Sequence, residues 1–359
     1  MNKKLIALAV AGACVAPAAM AQTANPVTLY GRVYATFESV EASSGGAAAD
    51  VVRRNRVSNQ ASLLGVRGTE DLGGGLKAFF QLETSFKPDQ NDTTFADRNS
   101  GVGLQGAWGS VLMGRWDTPY KVTTIAVDPY GDLTLGGITA ANSGSGARNV
   151  QAEFDRRDQN VVQYWSPSIA GFAFRASYSA NEARTATVNP RSNGASLTWT
   201  GGPVYVGYAY HELFDTAYGG ITPPKQTANA VFGSFEFGPI KVGADYGEIK
   251  RTGDFTAGAS ITKQKHYLAN IVWTIGNNQL SYQHQNSKGG DLTSLSTQPD
   301  CKVDAVGWQY NFSKRTFFLA QYVKVDNNDT ATCNFGSNTL AIAAGNDPKG
   351  FSLGLRHIF

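Results

Sequence analysis

The sequence predicts an all-β fold, a transmembrane β-barrel of sixteen antiparallel strands, and three observations predict it. Short segments alternating apolar and polar residues recur along the chain after residue 21. Tight turns and longer polar stretches separate them in strict succession. An export signal precedes them. Because successive side chains of a strand point to opposite faces, such segments set one face against lipid and the other against water.

Residues 1–21 come first. Lys3 and Lys4 precede an apolar stretch from Leu5 to Val15, and Ala19-Met20-Ala21 offers a small-x-small cleavage site before Gln22. This pattern is that of a cleaved secretory signal peptide. Cys14 follows Ala11-Gly12-Ala13 without the leucine of a lipoprotein signal. Residues 22–359 then form a single barrel domain. No stretch in it holds the roughly 18 uninterrupted apolar residues of a membrane-spanning helix, which excludes a helical channel. The mean hydropathy of −0.24 is compatible with a membrane barrel, since only every second side chain must be apolar.

Six strands are especially clear. Val27, Leu29, Val33, Ala35 and Phe37 alternate with Thr28, Tyr30, Arg32, Thr36 and Glu38. Phe172, Phe174 and Tyr178 oppose Arg175, Ser177 and Ser179, and Ile240, Val242, Ala244 and Tyr246 oppose Lys241, Gly243, Asp245 and Gly247. Further stripes run through Tyr267, Ile271 and Trp273, and through Val306, Trp308, Tyr310 and Phe312. In the last strand Phe351, Leu353, Leu355 and Phe359 share one face, and Ser352, Gly354 and Arg356 the other.

Seven short turns follow in order, at Asp71–Gly75, Trp108-Gly109, Pro167–Gly171, Gly201–Pro203, Gly238-Pro239, Gly276–Asn278 and Ser313–Arg315. Eight longer polar stretches alternate with them, the first before the first turn and the last after the seventh. A soluble β-sandwich also alternates but lacks this up-down asymmetry. Between Trp116 and Arg156 the cadence lapses for some forty residues, a length that marks a functional or disordered loop. This stretch carries Asp117, Asp128 and Asp132 beside Pro119, Pro129 and several glycines.

Charge points to no macromolecular partner. Removing Lys3 and Lys4 takes the basic count from 31 to 29 against 28 acids, a formal net of +1, so nucleic acid is not an expected ligand. Two cysteines remain after processing, Cys301 and Cys333, both beside long loops on the side opposite the short turns. An even count in an exported chain makes them a disulfide candidate. The bridge would close roughly 33 residues and stabilise by about 3 to 4 kcal/mol through loop-closure entropy. The four histidines, His211, His266, His284 and His357, are dispersed, with no metal-ligand spacing and no nucleophile-base motif. The chain is expected to be no enzyme and to need no cofactor or metal. Gly101, Gly103 and Gly106 match a dinucleotide-binding spacing, but a strand rather than a helix follows them.

Several motifs, in order, carry a family resemblance. They are Thr28-Leu29-Tyr30-Gly31-Arg32, Gly65 to Gly73, Gly75 to Glu83, Met113-Gly114-Arg115, Tyr164-Trp165-Ser166-Pro167 and the ending Gly354 to Phe359. The mature chain resembles the general diffusion porins of Gram-negative outer membranes, most closely their β-proteobacterial branch. That resemblance implies an outer-membrane homotrimer in contact with lipid and lipopolysaccharide, passing ions and small hydrophilic solutes through a water-filled channel. It implies that the ending with Phe351, Leu353, Leu355 and Phe359 is read by the barrel-assembly machinery. It also implies that the third long loop folds into the lumen and narrows it.

Opposite that loop the family carries a basic ladder. Arg32, Arg98 and Arg157 fall on its positions by alternation and motif, and Arg67, Arg115 and Arg175 also read as lumenal. Leu63 departs from the pattern, standing where relatives commonly carry another arginine. Against these stand Asp117, Asp128 and Asp132 on the loop, with Glu38 and Glu83 as further lumenal acids. The expected outcome is a mild anion preference. A substrate-specific channel for sugars, phosphate or organic anions is the alternative, with a barrel enzyme or adhesin more remote.

Overall fold

The computed structural model describes residues 27–44, 49–90, 93–131, 134–137, 154–180, 182–216, 223–255, 259–289 and 300–359. Residues 1–21, read above as an expected signal peptide and including Cys14, lie outside them, as does Asp132. Eighteen β-segments run as β1 (Thr28–Ser44), β2 (Val51–Asn59), β3 (Leu63–Gly73), β4 (Leu76–Phe86), β5 (Thr93–Thr94), β6 (Ser100–Gly106), β7 (Gly109–Asp117), β8 (Arg157–Trp165) and β9 (Phe172–Ala180). They continue as β10 (Arg191–Gly201), β11 (Val204–Phe214), β12 (Lys225–Phe237), β13 (Ile240–Phe255), β14 (Ala259–Ile275), β15 (Asn278–Gly289), β16 (Cys301–Asn311), β17 (Thr316–Asn327) and β18 (Asn346–Ile358). A short helix, α1 (Pro119–Thr124), follows β7.

The eighteen segments make sixteen strands because two strands are broken. β2 and β3 pair in succession with β1, interrupted near Ala61, whose φ is 51°. β5 and β6 likewise both pair with β4. Every pairing is antiparallel between chain neighbours, and β18 returns to β1 in register from Arg32↔Ile358 to Ser44↔Asn346. The backbones of Gly31 and Phe359 exchange hydrogen bonds of 3.1 and 3.0 Å at the seam. Closure leaves no unpaired edge, a requirement for backbone in a bilayer.

Alternation determines the faces as expected. Leu29, Phe37, Phe174, Ile271, Trp273, Val306, Trp308, Phe351 and Leu355 are exposed on one face. Their neighbours Thr36, Ser177, Asn270 and Ser352 are buried on the other. All seven predicted short turns are present, and left-handed glycines make the tightest of them, including Gly202 at φ 52° and Gly238 at φ 55°. The connection between β13 and β14 departs from the expectation of a long loop. There the ladder continues outward to Phe255↔Ala259, beyond the last pairing of β13 with β12 at Thr252 and of β14 with β15 at Gln264.

The Cys301–Cys333 disulfide is formed, with Cα atoms 6.3 Å apart and 32 residues of separation. It joins the start of β16 to the loop before β18, the pairing expected from the sequence.

Candidate functional site

The chain leaves β7 at Asp117 and turns at once into α1. Thr118 caps the helix by accepting from the Lys121 amide at 3.2 Å, and Pro119 occupies the first turn, where no amide donor is needed. The helix packs on β9 to β12, with Tyr120 and Val127 in one buried cluster with Phe154, Ala209, Leu213 and Ile249. From there the segment meets successive strands. The Val127 carbonyl accepts from Asn270 of β14 at 2.7 Å. The Tyr130 hydroxyl donates to the carbonyl oxygens of Ser281 in β15 and Ala305 in β16, at 3.1 and 3.2 Å. The Gly136 amide donates to Gln321 of β17 at 3.3 Å. These contacts lie on the face opposite the exposed apolar side chains. Burial raises the Tyr130 phenol above its ordinary pKa and keeps it a neutral donor.

Between this segment and the wall of β1 and β14 to β18 lies a cavity of about 490 Å³. Arg32 and Arg356 border it with Asp128, Tyr130, Gln279 and Gln309. Asp128 is mostly buried and caps its own turn by accepting from the Tyr130 amide at 2.9 Å. Arg32 donates to the Ala61 carbonyl at 2.8 Å. Arg356, not assigned to the ladder from sequence, stacks over Phe317 at 4.1 Å. Its parity was legible in the last strand, but its place beside Arg32 comes from the seam register that pairs it with Tyr34.

Most of the other predicted residues gather around two carboxylates, Glu83 and Asp117. Arg67 lies 4.9 Å over the Tyr30 ring, whose hydroxyl donates to Glu83 at 2.9 Å, and Arg98 approaches Glu83 at 3.8 Å. Leu63 faces the same side as Arg67 and is buried. Arg157 pairs with Asp117 at 3.0 Å, and Lys121, unassigned from sequence, lies 3.7 Å from the same carboxylate. Asp117 therefore sits against a basic side chain of the wall instead of facing it from across a gap. Glu38 lies on the inner side with Thr36 and is fully buried, accepting from Thr36, Ser58, Gln60 and Arg56. Arg115 donates to the Asp97 carbonyl at 2.7 Å and keeps the parity of the exposed Met113, since the register shift beside it falls on β8, where Asp158 to Val161 oppose Gly114 to Trp116. Arg175 lies 5.2 Å over Trp165 beside a short turn. Among the described residues no carboxylate pairs with Arg67, Arg175 or Arg356 within 4 Å.

A closed sixteen-stranded barrel with an apolar outside and a polar inside is a water-filled passage. A profile described as Gram-negative porin matches residues 7–330. The chain belongs to the Gram-negative porin family. It is 29% identical to outer membrane porin protein 32 of Delftia acidovorans over the whole of both chains. It is 28% identical to major outer membrane protein P.IB of Neisseria gonorrhoeae, covering 89% of this chain and 92% of the relative. Among solved structures, an anion-selective porin from Comamonas acidovorans matches with a TM-score of 0.79 at 25% identity, over 93% of this chain and 100% of that one. OmpT of Vibrio cholerae shares the fold at a TM-score of 0.69 and 14% identity, over 95% and 99% of the two chains. The porin is thus an outer-membrane general diffusion channel, in the β-proteobacterial branch, and its role is transport, not catalysis.

Proposed function

We propose that residues 118–131 and 134–137 fold into the lumen as the pore constriction and that the pore mildly prefers anions. The cavity bordered by Arg32 and Arg356 on one side and by Asp128 and Tyr130 on the other carries this reading. Fixed charges along a narrow aqueous gap bias passage toward one ion sign. Arg67 and Arg356 supply the field, while Glu83 and Asp117 offset Arg98 and Arg157. Arginine suits these positions because it stays protonated when crowded by like charge. The anion-selective Comamonas porin, similar along its whole length, supports the sign.

The same reading makes residues 1–21 a cleaved leader and the mature barrel a homotrimer in contact with lipopolysaccharide. It makes the ending with Phe351, Leu353, Leu355 and Phe359 the signal for the barrel-assembly machinery. Reversal potential in a planar bilayer under a salt gradient tests the selectivity. An anion-signed potential supports the assignment of the wall; a cation-signed one rejects it.

A further inference from the structure

Near the rim opposite the short turns, the inner face of β16 and β17 is apolar. Val303, Ala305, Val323 and Val325 are buried on the inner side, while Val306 and Tyr322 are exposed on the outer. Apolar side chains lining a water-filled passage are unfavourable unless something excludes water from them. The cover is the eighth external connection, residues 328–345. Its Ala331, Cys333, Phe335 and Leu340 join those valines in one cluster, all at most 5% exposed.

This connection also lies on the turn at 134–137. The Gly336 amide donates to the Leu135 carbonyl at 2.8 Å. A Cβ at Gly336 would stand 2.7 Å from the Thr134 carbonyl oxygen, closer than real side chains come to backbone. On its other side the turn meets the barrel wall. The Gly136 carbonyl accepts from Gln283 and Gln285 at 3.1 and 2.9 Å, and a Cβ there would stand 2.6 Å from that of Ala305. The turn is therefore a single layer held between wall and loop.

Both ends of that loop segment are fastened. On one side Cys333 is bonded to Cys301 of β16, and its carbonyl accepts from Asn327 at 2.9 Å. On the other, Ser337 donates to Gln60 at 2.5 Å, Asn338 donates to the Asn59 carbonyl at 3.0 Å, and Arg56 donates to the Asn338 carbonyl. Gly336 lies three residues after Cys333, a span of at most about 10 Å, so the bridge limits how far Gly336 can leave the turn.

We propose that residues 328–345 are a strap positioning the constriction, and that the Cys301–Cys333 bridge keeps the pore at one width by pinning Gly336 against the 134–137 turn. This rests on the reading of residues 118–131 and 134–137 as the constriction. The disulfide then serves permeation as well as stability: a channel without it flickers among widths.

Single-channel recording of the wild type, the Cys301→Ser/Cys333→Ser variant and Gly336→Val, whose bridge mass spectrometry verifies, tests this. The double variant is expected to lose the single steady conductance level and admit larger polyethylene glycols. Gly336→Val, with its bridge intact, is expected to shift the level by displacing the turn. If the double variant does not fold, reducing wild-type channels after insertion, with loss of the bridge verified by mass, replaces it. Wild-type conductance, noise and polymer cut-off without the bridge and in Gly336→Val would overturn the strap. Failure of the constriction reading is distinguishable: Arg356→Gln and Asp128→Asn would then leave the reversal potential unchanged.

Discussion

Arg356→Gln removes one positive charge from the cavity wall and keeps a polar side chain in its place. A sphere of 490 Å³ has a radius of about 5 Å. An ion crossing its centre passes on the order of 6 Å from the guanidinium, where Coulomb's law in water gives about 0.7 kcal/mol. Screening over a Debye length of about 10 Å at 0.1 M salt leaves about 0.4 kcal/mol. The substitution removes attraction for an anion and repulsion for a cation, so the two changes together reach about 0.8 kcal/mol, a roughly fourfold fall in the anion-to-cation permeability ratio. At 1 M salt the Debye length is about 3 Å and the effect shrinks to roughly 1.4-fold. The lost stacking on Phe317 costs about 0.5–1 kcal/mol, too little to unfold a closed barrel. Reversal potentials of single channels at the two ionic strengths provide the assay. An unchanged ratio at low salt, or an equal change at both, would refute placing this charge at the ion path.

Asp117→Asn releases Arg157 from its 3.0 Å partner and should raise anion preference, read as a larger anion-signed reversal potential. Tyr130→Phe removes the hydroxyl bonds to Ser281 and Ala305, each worth about 0.5–1.5 kcal/mol; greater open-channel noise is the expected result. Loss of the Cys301–Cys333 bridge should destabilise the folded barrel by about 3 to 4 kcal/mol in the loop-entropy account, lowering the temperature at which it unfolds on a semi-native gel. Deleting Phe359 removes two seam hydrogen bonds with Gly31, and slower folding into detergent or vesicles should follow.

Much of the barrel was legible because its determinants are local. The two-residue period of a strand fixes which face each side chain takes, and the glycines fix where the chain reverses. Arg32, Arg67 and Glu83 could thus be assigned to the inner face without knowing their neighbours. The alternation does not reveal that Glu38 is enclosed by Ser58, Gln60 and Arg56. Valines on the inner side of β16 and β17 were an available signal that something covers them, though parity alone does not identify the cover.

The sequence by itself determined the strand order, the two faces, the short turns and the pairing of Cys301 with Cys333, because these follow from periodicity, chain reversal and an even cysteine count. The tertiary structure decided which charges offset one another and where the long connections lie. Arg157 meets Asp117 across 40 residues, and Arg56 meets Asn338 across 282. The first contact follows from the register of the adjacent strands β7 and β8, whereas the second depends on closure of the whole barrel, which brings distant segments to one rim, and no local period encodes it.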